Sequence, residues 1–447
     1  MRILIRNVRI VDAETDMVGS VLIEGERIAA VDRNPRGTEL GEAERIIDGR
    51  GPQNESSVPR SSSSVPTLTL MPAFVELHAH FRDPGFPEKE TLESGCLAAV
   101  AGGYGTVVCM ANTKPVMDEP AAARALKERS DALGLIDLYP ALSLTRAMEG
   151  RDVAHLTRVD GAYGAVRLLS EDGKDVLDEE TFSEALRIAA RLGLPVSCHC
   201  DAGGSEAAAA KAAGAPRSVW SRIEENVATE RALSLGEAAG CHLHIAHVST
   251  KEAVAAVRAA KTRTLRDRAY QFTAEATPHH LALTEADAAR LGDEGPGRVN
   301  PSLRAEDDRL AVIAGIVDGT IDAIATDHAP HTRADKEAGA PGFSGLETAF
   351  AVCLTELVAK GRIDLKRLSS LMSSVPAGIL GLGDRGRIMV GMRADLVLVD
   401  TEAEWTVTAE AFRSRGKNTP FAGRRLRGKV FTTIHSGKIV YERSESK

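Results

Sequence analysis

The chain predicts an α/β fold, a (β/α)8 barrel of the TIM type with a small β-sandwich domain built from both ends. Three observations carry the prediction. Eight short apolar runs alternate with Ala- and Leu-rich segments of helical period. Strand-like segments recur near both termini, and the central apolar runs stop on histidines and carboxylates.

At the N-terminal end, residues 4–11 and 20–31 are rich in β-branched side chains, and Glu24-Gly25-Glu26 punctuates the second stretch as a hairpin. The same grammar returns at 394–400 and 430–440. Neither set can bury a sheet face alone, so residues 1–50 and 385–447 are expected to form one domain. Residues 51–69 contain a Ser-rich stretch without periodicity and are expected to be a loop or linker with no chemistry of its own. The barrel is assigned to 70–384. Its strands are expected in the runs 73–81, 106–110, 136–141, 165–169, 194–198, 243–247, 270–274 and 321–325. Helices are expected at 91–101, 120–133, 178–192, 225–238, 251–260 and 306–318.

Composition removes several function classes. The 447 residues carry a net charge of −8 with signs mixed along the chain, and only 4% are aromatic. That is no footprint for nucleic acid or an anionic membrane. No apolar run is long enough for a transmembrane helix. Met1-Arg2-Ile3-Leu4-Ile5 lacks the features of a secretory signal, and six cysteines in so long a chain do not make a disulfide framework. A cytoplasmic setting is expected.

The ends of the runs carry the chemistry. They read His78-Ala79-His80, then Asn112, then Glu171-Asp172-Gly173, His199, His247, Thr277-Pro278-His279 and Asp327-His328-Ala329-Pro330-His331. The C-terminal ends of barrel strands converge on one face, so residues remote in sequence should meet in one crater. His78 and His80, two apart on a strand, project from the same side and suit one metal ion. In Cys198-His199-Cys200, an inward His199 sends both sulfurs outward, which disfavours a Cys-His-Cys zinc set. By the same parity His247, at its strand end, is the ligand candidate, and His242 and His244 are structural. Asp327 can be both metal ligand and proton shuttle.

These residues resemble a known family. Residues 75–85 (VELHAHFRDPG), 109–113 (CMANT), 170–173 (SEDG), 245–250 (IAHVST), 277–281 (TPHHL), 298–301 (RVNP) and 325–331 (ATDHAPH) are similar to the motifs of bacterial type I dihydroorotases. The likeness runs from the first strands to Asn418-Thr419-Pro420-Phe421 and the final hairpin, omitting the Ser-rich insertion. It implies a barrel with a β domain from both termini, and reversible hydrolysis of (S)-dihydroorotate to N-carbamoyl-L-aspartate at one or two zinc ions, in pyrimidine biosynthesis. By that resemblance His78 and His80 bind the first zinc and Asp327 completes it as the acid/base. Asp172 binds where related enzymes use a carboxylated lysine. His199 and His247 serve the second zinc. Arg82, Asn112 and His331 hold the substrate carboxylate, and Asn300 with Pro341 and Gly342 contacts the ring. A complex with aspartate carbamoyltransferase and homo-oligomers are further expectations.

The chain departs from the pattern at Glu76, where Asp is usual, and at Ala73 and Ala111, where Gly and Pro are usual. Two rival readings fit the sequence less well. Dihydropyrimidinase- or allantoinase-type hydrolases need a lysine on the fourth strand, where Gly164-Ala165-Val166-Arg167-Leu168-Leu169 has none. A non-catalytic partner of the transcarbamoylase would have lost ligands, and all six positions are kept here.

Overall fold

The computed structural model describes residues 1–37, 40–50, 67–159, 164–201, 204–264 and 272–443. The N-terminal strands are β1 (Arg2–Val11), β2 (Asp16–Glu24), β3 (Arg27–Asp32), β4 (Arg45–Asp48) and β5 (Thr69–Pro72). The central strands are β6 (Phe74–Ala79), β7 (Tyr104–Cys109), β8 (Asp137–Pro140), β9 (Leu169–Ser170), β10 (Val196–Cys198), β11 (Leu243–Ile245), β12 (Phe272–Ala276) and β13 (Ala323–Ile324). The last three are β14 (Leu396–Thr406), β15 (Arg425–His435) and β16 (Lys438–Glu442).

The central strands are parallel, with β6-β7-β8 in one run and β13-β12-β11-β10-β9 in the other. Two parallel bridges close the seams, Leu142 with Leu169 and Ala79 with His328. The eight strands thus form a closed ring. Every residue of β6 and β7 is buried, as expected where helices cover a parallel sheet whose other face fills the interior.

The helices between the strands start and stop on local chemistry. Pro120–Leu133 begins on a proline, whose missing N–H costs nothing in the first turn, and ends at Gly134 with φ 65°. Glu179–Leu192 is capped by the Asp178 carboxylate, which accepts from Thr181 N. Arg217–Ala239 starts earlier than the expected 225 because its first turns bury Ser221, Glu224 and Glu225 instead of apolar side chains. Their partners are Arg304 and Lys211, which no local pattern reveals. Of the run 165–169 only Leu169 enters the ladder, with Ser170 just beyond it, the two pairing with Val196 and Ser197. Of the run 270–274, residues 270 and 271 lie outside the described residues, as does the Ser-rich stretch 51–66.

Strands from both ends join in one hydrogen-bonded sheet, in the order β16-β15-β14-β5-β1-β2-β3 with β4 beside β1. Residues 70–72, given to the barrel from sequence, pair here instead. Leu70 lies between Ile10 and Leu398 and so joins the two termini. The sheet has its own core, including Ile3, Ile5, Val21, Ile23, Leu396, Leu398 and Ile434. The hairpin turns at Gly25-Glu26, with Glu24 opposite Arg27 and Gly25 at φ 61°.

A buried ion network ties this sheet to the barrel floor. Asp137, first residue of β8, meets Arg385 and, at 2.8 Å, Arg393. Asp395, just before β14, lies 3.2 Å from Arg393 Nε and 3.2 Å from His435 Nδ1. Among the described residues, no helix is long and apolar enough to cross a membrane.

Candidate active site and metal centre

The site lies at the opposite, C-terminal rim of the barrel. Three of its residues, Arg82, His247 and Asp327, have positive φ of 58°, 32° and 47°. Non-glycine residues rarely adopt this region, and such backbone concentrates at functional sites. The turn lets each side chain reach inward just after its strand has ended.

Four imidazoles and two carboxylates meet there. His78 Nε2 is 3.0 Å from Asp172 Oδ1 and 3.6 Å from Asp327 Oδ1. His80 Nε2 is 3.1 Å from Asp327 Oδ1 and 3.4 Å from Asp172 Oδ2. His199 Nδ1 is 3.1 Å from Asp172 Oδ1 and 2.7 Å from His247 Nε2. Two ligand triads result, His78-His80-Asp327 and His78-Asp172-His247, each with its donor atoms within 4.8 Å of one another. His78 belongs to both. His199 adjoins the second triad without being counted in it.

The outer contacts orient the imidazoles. His78 Nδ1 donates to Glu275 Oε1 at 3.0 Å. Asn112 Nδ2 donates to Asp172 Oδ2, so its Oδ1 accepts from His80 Nδ1 at 2.9 Å. Both rings thus have Nδ1 fixed by an outer acceptor and turn Nε2 towards the carboxylates, with His80 Nε2 donating to Asp327 Oδ1 at 3.1 Å; this is the orientation of histidines that bind metal. His78 Nε2 and Asp172 Oδ1 are buried without a hydrogen bond although they face each other. Positive charge belongs between them, as a proton on the imidazole or as a bound metal ion.

The electrostatics agree. Burial pushes Asp172 up, but the His78 and His199 imidazoles outweigh it and hold the carboxyl well below its ordinary value. Burial pulls His199 down, yet Asp172 and then Asp201 carry it up to about 10. For Glu275, fully buried, His244 and His78 overcome burial and lower it to about 2. The pocket is built to hold cationic charge, so the residues fit a metal ion.

The other predicted residues surround this centre. Arg82 Nη2 is 3.1 Å from His331 Nε2, and its Nε donates to Pro330 O. Among the described residues Arg82 has no carboxylate in salt-bridge contact. Burial and the Arg82 charge push His331 down to about 3, so this imidazole is neutral. Asn300 Nδ2 lies 3.3 Å from His199 Nε2 and donates to Asp201 at 2.8 Å. Pro341 O is 3.0 Å from His331 Nε2. Gly342 has φ 126°, and a Cβ there would sit 2.5 Å from the Ala329 Cβ, so this close approach requires glycine.

Other residues around the centre were given no site role from sequence. Glu275 orients His78 and also accepts from His244 Nε2, whose Nδ1 lies 2.9 Å from Thr273 Oγ1. Its signal was a lone acid in a buried strand. His279, noted only as a strand end, presents a buried Nε2 without a hydrogen-bond partner, edge-on to Phe343. Glu76 accepts from His78 N and Thr326 N, each at 2.9 Å, bridging β6 and β13 across a barrel seam. Cys198 and Cys200 are buried free thiols in the hydrophobic core, outside both triads.

A family model described as the amidohydrolase family matches residues 69–440. This chain belongs to the amidohydrolase family. Among its most similar curated relatives are proteins named dihydroorotase. That of Clostridium botulinum (strain Eklund 17B / Type B) is 38% identical over 99% of this chain and 100% of the relative. That of Thermus aquaticus is 40% identical over 99% and 100%. That of Anaeromyxobacter dehalogenans (strain 2CP-C) is 41% identical over 84% and 87%. Among solved structures, the L-hydantoinase (dihydropyrimidinase) from Arthrobacter aurescens matches with a TM-score of 0.84 at 25% identity, over 99% of this chain and 96% of that one. The amidohydrolase is thus a cyclic-amide hydrolase with a barrel and a sheet domain built from both termini.

Proposed function

We propose that this amidohydrolase is a zinc-dependent dihydroorotase, hydrolysing (S)-dihydroorotate reversibly to N-carbamoyl-L-aspartate in pyrimidine biosynthesis. One observation carries the choice of substrate class over the hydantoinase type. Asp172 faces His78 and His199, while the preceding segment offers only Arg167, which cannot become a lysine carbamate.

His78, His80 and Asp327 would hold one ion, and Asp172 and His247, with His199 beside them, a second. Bound zinc supplies Lewis acidity, polarising the scissile carbonyl and easing deprotonation of water. The Asp327 carboxylate accepts the proton of the attacking water and returns it to the ring nitrogen, which leaves poorly unless protonated. Arg82, free of a carboxylate partner, offers a fork to the substrate carboxylate, with Asn112 and the neutral His331 as further polar contacts. Asn300 and the backbone at Pro341-Gly342 border the ring. The reading carries with it a cytoplasmic setting, homo-oligomers and contact with aspartate carbamoyltransferase.

The test is ring opening of dihydroorotate by purified protein, with metal analysis, run with and without the transcarbamoylase. Turnover with about one to two zinc ions per chain is expected, lost on chelation and restored by zinc. Full activity of a metal-free sample refutes the metal assignment. A zinc-loaded sample that opens hydantoin but not dihydroorotate refutes the substrate.

A further inference from the structure

Immediately after His331 the chain forms a short helix, Arg333–Glu337, capped by Thr332, whose hydroxyl accepts from Asp335 N. This helix places Lys336 under the loop that follows. Lys336 is 4% exposed, an unusual position for an ammonium, and it makes no salt bridge among the described residues. Its Nζ instead donates to three main-chain carbonyls, Arg298 O at 2.7 Å, Ala340 O at 2.7 Å and Gly342 O at 2.9 Å. All three protons of the ammonium are used.

The acceptors belong to two loops. Arg298 O lies two residues before Asn300, while Ala340 O and Gly342 O flank Pro341. Gly342 N also donates to Arg298 O at 3.0 Å, so that one carbonyl receives a donor from the second loop as well as from the ammonium. Asn418 Nδ2 donates to Gly342 O at 3.1 Å, and the Phe343 ring lies 5.3 Å from Nζ. Burial, with Arg298 and Arg217 adding to it, presses the Lys336 pKa down to about 7. Three carbonyls around one nitrogen can all be satisfied only by the ammonium form, so the geometry favours the charge against that cost.

We propose that Lys336 is a positioning residue whose ammonium clamps the 340–342 loop to the 298–300 loop, so that Asn300 and Pro341-Gly342 meet the substrate ring as one preformed surface. The clamp is read directly from the contacts, and its effect on the ring rests on the proposed function. Lys336 touches neither triad, so its loss acts on binding and spares the chemical step.

Lys336→Met removes all three donors at similar length. Hydrogen exchange in peptides covering 298–301 and 340–343 is expected to speed up about tenfold, with the rest of the barrel unchanged. KM for dihydroorotate should rise about tenfold while kcat stays within about threefold and metal content is unaltered. Lys336→Arg, which keeps charge and donors, should return both readouts towards wild type. Should the Met variant not fold, Lys336→Gln takes its place, with a smaller loosening expected in the same two peptides. Unchanged exchange in both loops overturns the clamp, as does an Arg variant as loose as the Met variant. An equal fall in kcat at constant KM overturns the assignment to binding. A wild-type protein inactive on dihydroorotate would refute the functional reading only, because the exchange experiment needs no substrate.

Discussion

The two ends of the barrel bury carboxylates in opposite ways. At the floor, Asp137 and Asp395 meet Arg385, Arg393 and His435, so guanidinium groups that never lose their proton neutralise them. At the mouth, among the described residues, the ion-pair partners of Asp172 and Asp327 are imidazoles, whose charge is conditional. The floor network balances its carboxylates with permanent charge and joins the sheet to the barrel. The mouth instead offers two ligand triads that could hold a metal ion, and the positive-φ residues Arg82, His247 and Asp327 lie there. Barrels of this type divide labour in the same way, stability below and chemistry above.

The largest test of that division is Asp327→Asn. The amide keeps the shape but could serve neither of the roles proposed for Asp327, taking the water's proton and balancing a metal's charge. Turnover should fall by about three orders of magnitude. Thermal unfolding should stay within a few degrees of wild type, since no floor contact changes. A variant with near-normal kcat would move the proton shuttle elsewhere, and one that unfolds would give the mouth a structural role it is not assigned.

The floor should answer in reverse. Arg385→Ala leaves Asp137 and Asp395 sharing Arg393 and His435, and breaking one partner of a buried ion pair costs about 3–5 kcal/mol. Urea unfolding should show that loss, while KM and kcat per folded molecule remain near wild type. A catalytic defect without a stability defect would break the comparison.

The sequence made the mouth more legible than the floor. His78, His80, Asp172, His199, His247 and Asp327 each sit where an apolar run ends, and the barrel brings strand ends together whatever their separation. Glu275 lay hidden because its value depends on His78, 197 residues away. Lys336 was hidden because a lysine in a polar helix reads as solvated, and its carbonyl partners carry no side-chain signal. The floor network was equally silent. Arg385 and Asp137 are 248 residues apart, and neither stands in a pattern of its own. Residues 70–72 joined the sheet because their apolar character fits either domain, and only pairing with Ile10 and Leu398 decides.

Acid separates the two ends more finely, though with a smaller effect. Burial raises the Asp137 carboxyl, but Arg385, then Arg393 and His435, hold it below its ordinary value of 3.8. A carboxylate with a depressed folded-state pKa contributes stability that is fully present above the unfolded value and fades as pH falls through the folded one. The stability gap between wild type and Arg385→Ala should therefore be constant from about pH 7 down to about 5 and narrow below about 4. Arg393 and His435 remain in the variant, so part of the Asp137 depression survives and the narrowing is partial. Urea titrations at each pH measure it. A gap that stays level to about pH 2 would mean that Arg385 stabilises through packing of its stem, and the floor would then owe little to the charges that distinguish it from the mouth.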